Sequence, residues 1–391
     1  MNMKKDVFET WIMNIILFLY PFEVFTIVHV DNLLGPLSPY RAVIFPLCLL
    51  FIMKNAYSRD EGVAGSNMIV AIYFFFCFLG ILVPFNSSAF ISLVGSMAQF
   101  YCAYQIFLHK NISKSTLFVI TTWGFLQIPA LVDAIILGNF GMANRFMGYF
   151  FDPNYLCAFC VPSFTSSFYL LQSESKRIYR CYLYIVAVFS LILVFLTFSR
   201  GAMLALIFSI AIYLLIHNKK LLVAISVLLI PIISYMKIRS LNLTWADGAD
   251  NLLDGFIYRT FTLSGDMNEL TAGRADYFET FLENINDYML WGMDVFSYFK
   301  QYNDGHFIHN GIAELCVQSG VVVGLIFVLC LVIANMRTII RYMRLKTIPP
   351  EYLIFASSLL CLTFLSYTSK YSWLCIGVLF ALTKRGKIAC K

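Results

Sequence analysis

Apolar stretches close to the roughly 20 residues that cross hydrocarbon as a helix recur along this chain with short polar segments between them. Twelve can be counted, centred near Leu17, Pro46, Phe75, Gly95, Leu126, Pro162, Ala187, Ala205, Leu229, Phe327, Ala356 and Cys375. The connections among the first spans are brief: Asp31 to Tyr40, Lys54 to Ser66, Asn86 to Ser88, His109 to Ser115. One connection is long, from about Met236 to Gly305. The pattern predicts an all-α polytopic membrane protein of about twelve transmembrane helices. Residues 1–235 hold helices one to nine, 236–306 form the long loop with amphipathic helices, and 307–391 hold the last three. Lys4 and Lys5 precede the first run, which continues to Val28 without a small-residue cleavage site, so it reads as an uncleaved span.

Composition agrees. Sixty per cent of the residues are apolar, 13% are charged and 38 are Phe, whereas about 25% charge is usual where a surface faces water. Threading the twelve spans alternately puts nineteen of the 28 Lys and Arg on one side when the N-terminus is placed there. The excess of cations on cytoplasmic loops then sets both termini in the cytoplasm. The net charge of +6 reflects that bias and is no footprint of nucleic acid. The nine exceptions are Arg41, Arg145, Arg200, Lys237, Arg239, Arg259, Arg274, Lys300 and Lys370. Lys237, Arg239, Lys300 and Lys370 read as solvated or as lipid-headgroup contacts. The eleven cysteines lie in or beside apolar runs, and Cys157-x-x-Cys160 reads as small apolar packing. The long loop has no cysteine and therefore no disulfide framework.

The chemistry-bearing positions cluster at outer helix ends. Arg145 precedes Asp152-Pro153-Asn154, a helix-start signal whose free backbone N–H groups favour an anion. Asp152 either caps that helix and pairs with Arg145, or both face a substrate. Ser199-Arg200-Gly201 stands between two long apolar runs; a cation there belongs at the surface or with a partner, and Gly201 leaves room for a phosphate oxygen. An interfacial anchor is the other reading of Arg200. In the long loop, Gly273-Arg274 opens a 3.6-period amphipathic run from Ala275 to Met289, with Phe278, Phe281, Leu282, Ile285 and Met289 on one face. A cation in a first helical turn opposes the helix dipole at a cost of ~0.3 to 1 kcal/mol, tolerable if an anionic ligand holds it. His309-Asn310 follows, ahead of an apolar helix with Glu314, Gly320 and Gly324. His306 and His309, with Asp304 nearby, lack the third strong ligand and the placed base of a hydrolytic metal site, so neither metal nor cofactor is expected.

Taken together, Arg145 with Asp152-Pro153-Asn154, Ser199-Arg200-Gly201, Gly273-Arg274, and His309 with Gly320 after ten intervening residues resemble the O-antigen polymerase and O-antigen ligase superfamily. The likeness covers the layout of the whole chain, including one long periplasmic loop before the last three spans. An Arg-x10-Gly spacing found in polymerases is absent, position 156 being Leu and position 285 Ile. The resemblance implies a GT-C-like glycosyltransferase that moves a glycan from undecaprenyl pyrophosphate to a sugar hydroxyl at the periplasmic face. The implied partners are the lipid-linked donor and acceptor, membrane lipid, and a chain-length regulator and flippase of the same pathway.

The residues suit that chemistry. Arginines offer planar bidentate donors to a pyrophosphate leaving group, Arg200 and Arg274 first and Arg145 third, with Asn154 and Asn310 as further substrate contacts. His309 has the unperturbed basicity to take a proton from the acceptor hydroxyl. Glu314, five residues on, either orients that imidazole or packs. Asp152-Pro153-Asn154 and the Phe and Tyr enrichment favour polymerase over ligase. A lipid-linked oligosaccharide transporter is the contrasting class. It would place carboxylates, broken helices and internal repeats at mid-membrane, whereas here the spans are largely free of charge, Asp133 near an outer end being the main exception.

Overall fold

Short polar side chains set where many of the helices begin. Asn86, Ser113, Asp152, Ser199, Asn218, Asp294 and Asn310 each stand one position before a helix, and each side chain accepts a hydrogen bond from a backbone N–H two or three residues on. Such a cap satisfies a donor that the helix itself leaves unpaired, at a typical worth of ~1 kcal/mol. The computed structural model of the chain describes residues 2–22, 39–56, 68–82, 85–138, 145–150, 152–243, 251–261, 274–303, 308–363 and 369–388. Among these the protein is all-α, with one isolated backbone bridge between Leu82 and Phe85.

The helices in chain order are α1 (Asn2–Leu19), α2 (Pro39–Ala56), α3 (Met68–Leu82), α4 (Ser87–His109), α5 (Lys114–Phe125), α6 (Ile128–Ile136), α7 (Pro153–Leu171), α8 (Arg177–Leu196) and α9 (Arg200–His217). They continue as α10 (Lys219–Ser240), α11 (Leu252–Phe261), α12 (Arg274–Glu283), α13 (Val295–Tyr302), α14 (Gly311–Ser319), α15 (Val321–Leu345), α16 (Pro350–Thr363) and α17 (Lys370–Ile388). Among the described residues, six segments are long and apolar enough to cross a membrane: Ser87–Leu108, Lys114–Ile136, Arg177–Leu196, Arg200–His217, Lys219–Ser240 and Val321–Leu345. Val7–Phe22, Met68–Leu82 and Pro350–Thr363 are shorter apolar helices. This is a polytopic membrane protein; the expected twelve spans are met by six of full length.

One physical reason for the shortfall lies in α7. It carries Ser163, Thr165, Ser166 and Ser167, which lower its hydropathy, yet these side chains are buried among neighbouring helices. Ser163 donates to the Thr121 carbonyl, 2.9 Å, and Ser167 to the Ser163 carbonyl, 2.8 Å. A helix covered by protein needs no lipid-facing apolar surface, so it reads weakly in a hydropathy scan. A second difference is a break in the fifth run at Leu126–Gln127, where α5 ends and Pro129 enters the first turn of α6.

The chain divides into two compact units. The first comprises Met1–Asn111, Asp266–Ile340 and Leu362–Lys391, the second Ile112–Gly265 and Arg341–Cys361. In the first, α17 lies along α4 so closely that a Cβ on Gly377 would come within 2.5 Å of the Phe100 carbonyl. At one end of this pair Lys110 forms an ion pair with the buried Glu9 of α1, and Arg385 Nη1 donates to the Lys110 carbonyl, 2.7 Å. At the other end Lys370 is 7% exposed and donates to Ser92. That corrects its reading as a solvated or headgroup cation, because the ammonium finds its acceptor inside the protein. In the second unit α7 is the central helix, packed by α5, α8 and α9.

The long loop is folded at both ends. Lys237 donates to the Phe261 carbonyl, 2.6 Å, Arg239 pairs with Asp254, and Phe195 stacks on Phe256 at 4.4 Å between centroids, which anchors α11 against α8 and α10. Lys237 and Arg239 therefore also have protein partners. The amphipathic run expected over Ala275–Met289 is not one helix: α12 stops at Glu283, and a 3-10 turn covers Ile285–Asp287. The Asn284 side chain bonds back to the Thr280 carbonyl, 2.8 Å, offering the backbone a local partner in place of the next helical turn.

Candidate functional site

In the second unit, three of the residues picked out above, Arg145, Asn154 and Arg200, meet at the junction of α8 and α9. Thr197 and Phe198 make the turn, and Phe198 takes a left-handed conformation with φ 49°. Arg145 Nε donates to the Thr197 carbonyl, 2.9 Å, and the neighbouring Phe146 N–H donates to the Leu196 carbonyl, 3.2 Å. Asn154, in the first turn of α7 and 3% exposed, accepts from the Ser199 hydroxyl, while Ser199 Oγ accepts from Ala202 N at the start of α9. Arg200 is the first residue of α9 and donates from Nε to the carbonyl of Arg259, 2.7 Å. Asp152 caps α7 through Asn154 N, 2.6 Å.

The structure thus brings Arg145, Asn154 and Arg200 together and adds Ser199 and the end of α11, with Arg259, to the group. Each arginine has its Nε–H fixed by a main-chain carbonyl, which sets the plane of the guanidinium fork. Two helix N-termini, those of α7 and α9, are coupled by the Asn154–Ser199 hydrogen bond, so their positive ends are held in register. Asn154 acts there as a buried link between helices. Ser199 and Arg259 were legible only as the neighbour of an arginine and as one of nine outer cations; their joint position rests on contacts some fifty residues apart in the chain.

In the first unit, His309 stands at the head of α14. It adopts φ 53°, and its ring lies 6.2 Å from that of Tyr277, tilted by 52°. Asn310 caps α14, accepting from Ile312 N at 3.1 Å and Ala313 N at 3.3 Å. Position 274 opens α12, one helical turn before Tyr277 and on the same side of that helix. Tyr277 is the residue beside His309 that sequence reading did not single out; its only signal was the i, i+3 spacing from Arg274. Glu314 is fully buried in α14, with its N–H on the Asn310 carbonyl, 3.1 Å, and within electrostatic reach of Tyr73 on α3.

The ten residues between His309 and Gly320 are the length of α14 with its cap. Gly320 ends the helix at φ 83°, where a Cβ would meet the Leu290 carbonyl oxygen at 2.5 Å. Gly292 sits opposite at φ 73°, and its Cβ would meet the Gln318 oxygen at 2.4 Å. Only glycines permit this crossing. It is sealed by Met293 N to Val317 O, 2.7 Å, and Val321 N to Met289 O, 2.9 Å. Gly324 lets α15 pass within contact of Cys316 on α14. A short strut capped at one end and clamped at the other therefore carries His309 at its tip.

A small core of its own supports the strut: Phe281, Tyr288, Tyr298 and Phe299 pack against Ile308 and Cys316. Burial, aided by the Asp287 carboxylate it hydrogen-bonds, pushes the Tyr302 phenol up to about 12, and burial does the same for Tyr298. Both stay protonated donors at neutral pH. His306 and Asp304, weighed above as metal ligands, and Gly273 lie outside the described residues.

No curated protein matches the chain. Residues 185–328, which include Arg200, Arg274, His309, Asn310 and Glu314, match the family model described as O-antigen ligase, and this match supports the O-antigen polymerase and ligase superfamily for this membrane protein without separating the two activities.

Proposed function

We propose that the protein is a membrane glycosyltransferase that joins undecaprenyl-pyrophosphate-linked oligosaccharide repeat units at the periplasmic face of a bacterial inner membrane, an O-antigen polymerase. The observation that carries this reading is the content of residues 185–328: the family-matched stretch holds both the oriented Arg200 at the head of α9 and the strut that presents His309. Arg200, Arg274 and Arg145 bind the pyrophosphate, a group that gains negative charge as its bond to the sugar breaks. The acceptor hydroxyl oxygen attacks the anomeric carbon, its proton passes to the His309 imidazole, and the polyprenyl pyrophosphate leaves with the electron pair. Asn310 aims the N-terminus of α14 at charge developing beside His309, and Glu314 orients the strut from below. Asn154 acts through Ser199.

The contact of Glu9, Lys110 and Arg385 at one end of the first unit supports a common side for the chain's two terminal helices, as the lysine and arginine bias requires of cytoplasmic termini. Twelve spans of GT-C-like arrangement, and work alongside a flippase and a chain-length regulator, complete the proposal.

A ligase that moves the finished glycan to lipid A-core is the second reading, favoured by the description of the matching family model. Purified protein reconstituted with labelled lipid-linked repeat units separates the two. A ladder of lengthening lipid-linked products is the expected result. Transfer only when lipid A-core is supplied assigns a ligase, and movement across the bilayer without new glycosidic bonds assigns a transporter.

A further inference from the structure

The turn Met289–Met293 lies in what the sequence reads as an aqueous loop, yet it packs against the apolar helix α3. Tyr288 to Met293 carry no charge. Leu290 and Trp291 are 61% and 62% exposed. Exposed Leu and Trp side by side on a water-facing loop would be costly. The turn is also not loose. Its two backbone hydrogen bonds to the α14–α15 junction and the Gly292–Gly320 crossing hold it in place.

Its other face rests on α3. A Cβ on Gly80 would lie 3.1 Å from the Gly292 carbonyl carbon, and the Trp291 ring stacks on Phe76 at 6.1 Å with 12° between planes. Phe76 stands six residues inside the end of α3 at Leu82, about 9 Å along the helix axis. α3 itself carries no charged residue and shows an outward stripe of Ile72, Phe75 and Leu82. Leu290 and Trp291 extend that stripe sideways onto the loop.

We propose that the Met289–Met293 turn is seated in the boundary between headgroups and acyl chains, with the bilayer itself as the surface it docks to. Trp is the side chain best suited to that boundary, its ring apolar and its N–H able to reach polar headgroups. The charges stop on either side of the tip. Asp287 is engaged by Tyr302, and Asp294 caps α13 and accepts from Asn86 Nδ2, 2.6 Å. The lower end of the α14 strut is thereby referenced to the membrane, which fixes the height of its head above the lipid. This inference does not depend on the reaction catalysed.

The test uses the full chain in proteoliposomes, with a bimane label on Leu290→Cys or, as an aqueous reference, on Lys300→Cys at the exposed end of α13. Quenching by a doxyl-labelled phospholipid is expected at position 290 and iodide quenching at position 300, each preferring its own quencher by about tenfold. Equal iodide quenching at both positions overturns the proposal in favour of water. Protection of position 290 from both quenchers overturns it in favour of a second protein surface. As an independent readout that needs no cysteine, Trp291→Phe is expected to remove tryptophan emission that the doxyl lipid quenches; an unchanged lipid-quenched fraction counts against the seat.

Discussion

The two groups of candidate residues are held by opposite means. At the α8–α9 junction, side chains reach across the fold: Arg145 to the Thr197 carbonyl, Arg200 to the Arg259 carbonyl, and the Ser199 hydroxyl to the Asn154 side-chain oxygen. At the head of α14 the backbone does the holding, through a cap, a left-handed His309 and two glycines whose missing side chains let a turn cross the helix end. The first arrangement is expected to fail when a donor atom is removed, and the second when a methyl group is added at Gly292 or Gly320.

Replacing His309 gives the largest effect. His309→Asn is more informative than His309→Ala, because Asn tolerates positive φ and keeps the turn while removing the imidazole. Both variants are expected to lose polymer formation by about 10²- to 10⁴-fold with normal membrane insertion; full chain lengths from the Asn variant would reduce His309 to a turn residue.

Gly320→Ala comes next. A Cβ at φ 83°, pressed on the Leu290 carbonyl, is expected to cost ~1–3 kcal/mol of backbone strain and to misplace His309. Lower thermal stability in detergent together with lost activity is the expected pair of results. An unchanged melting temperature would mean that the crossing is not what holds the strut.

Arg200→Lys tests the other mode of support. Lysine has no Nε–H directed at Arg259 and no fork for a pyrophosphate, so kcat/KM is expected to fall about 10- to 100-fold, a loss in the range of one charged hydrogen bond. Wild-type kinetics would leave Arg200 as a structural tie alone.

Ser199→Ala should be mildest. It removes an N-cap worth ~1 kcal/mol and the donor to buried Asn154. Ser199→Thr restores both groups and is expected to recover activity, whereas recovery by Ala would detach Asn154 from the function.

Much of this organisation was legible in the sequence because its causes are local. Asp152-Pro153 announces a helix start through a side chain that serves an N–H group two residues away. The ten residues between His309 and Gly320 span one short helix with its cap, so the motif spacing and the strut are the same fact. The all-α membrane character follows from the apolar runs alone.

What the sequence could not decide depends on distant partners. Lys237 and Lys370 read as solvated cations because a hydropathy pattern does not reveal that the Phe261 carbonyl and Ser92 lie within reach. Asn154 reads as an exposed contact until α9 is seen to bring Ser199 against it. The amphipathic run after Arg274 has helical spacing to Met289, but α12 ends at Glu283, and the turn beyond it is needed to cross the end of α14. Tyr277 is one of 23 tyrosines until α12 and α14 set its ring beside His309. Sequence alone determined the apolar, helical character of the chain and the helix start at Asp152-Pro153, since each follows from neighbours along the chain. The tertiary structure decided which carbonyl each arginine finds, because that choice belongs to segments brought together only by packing.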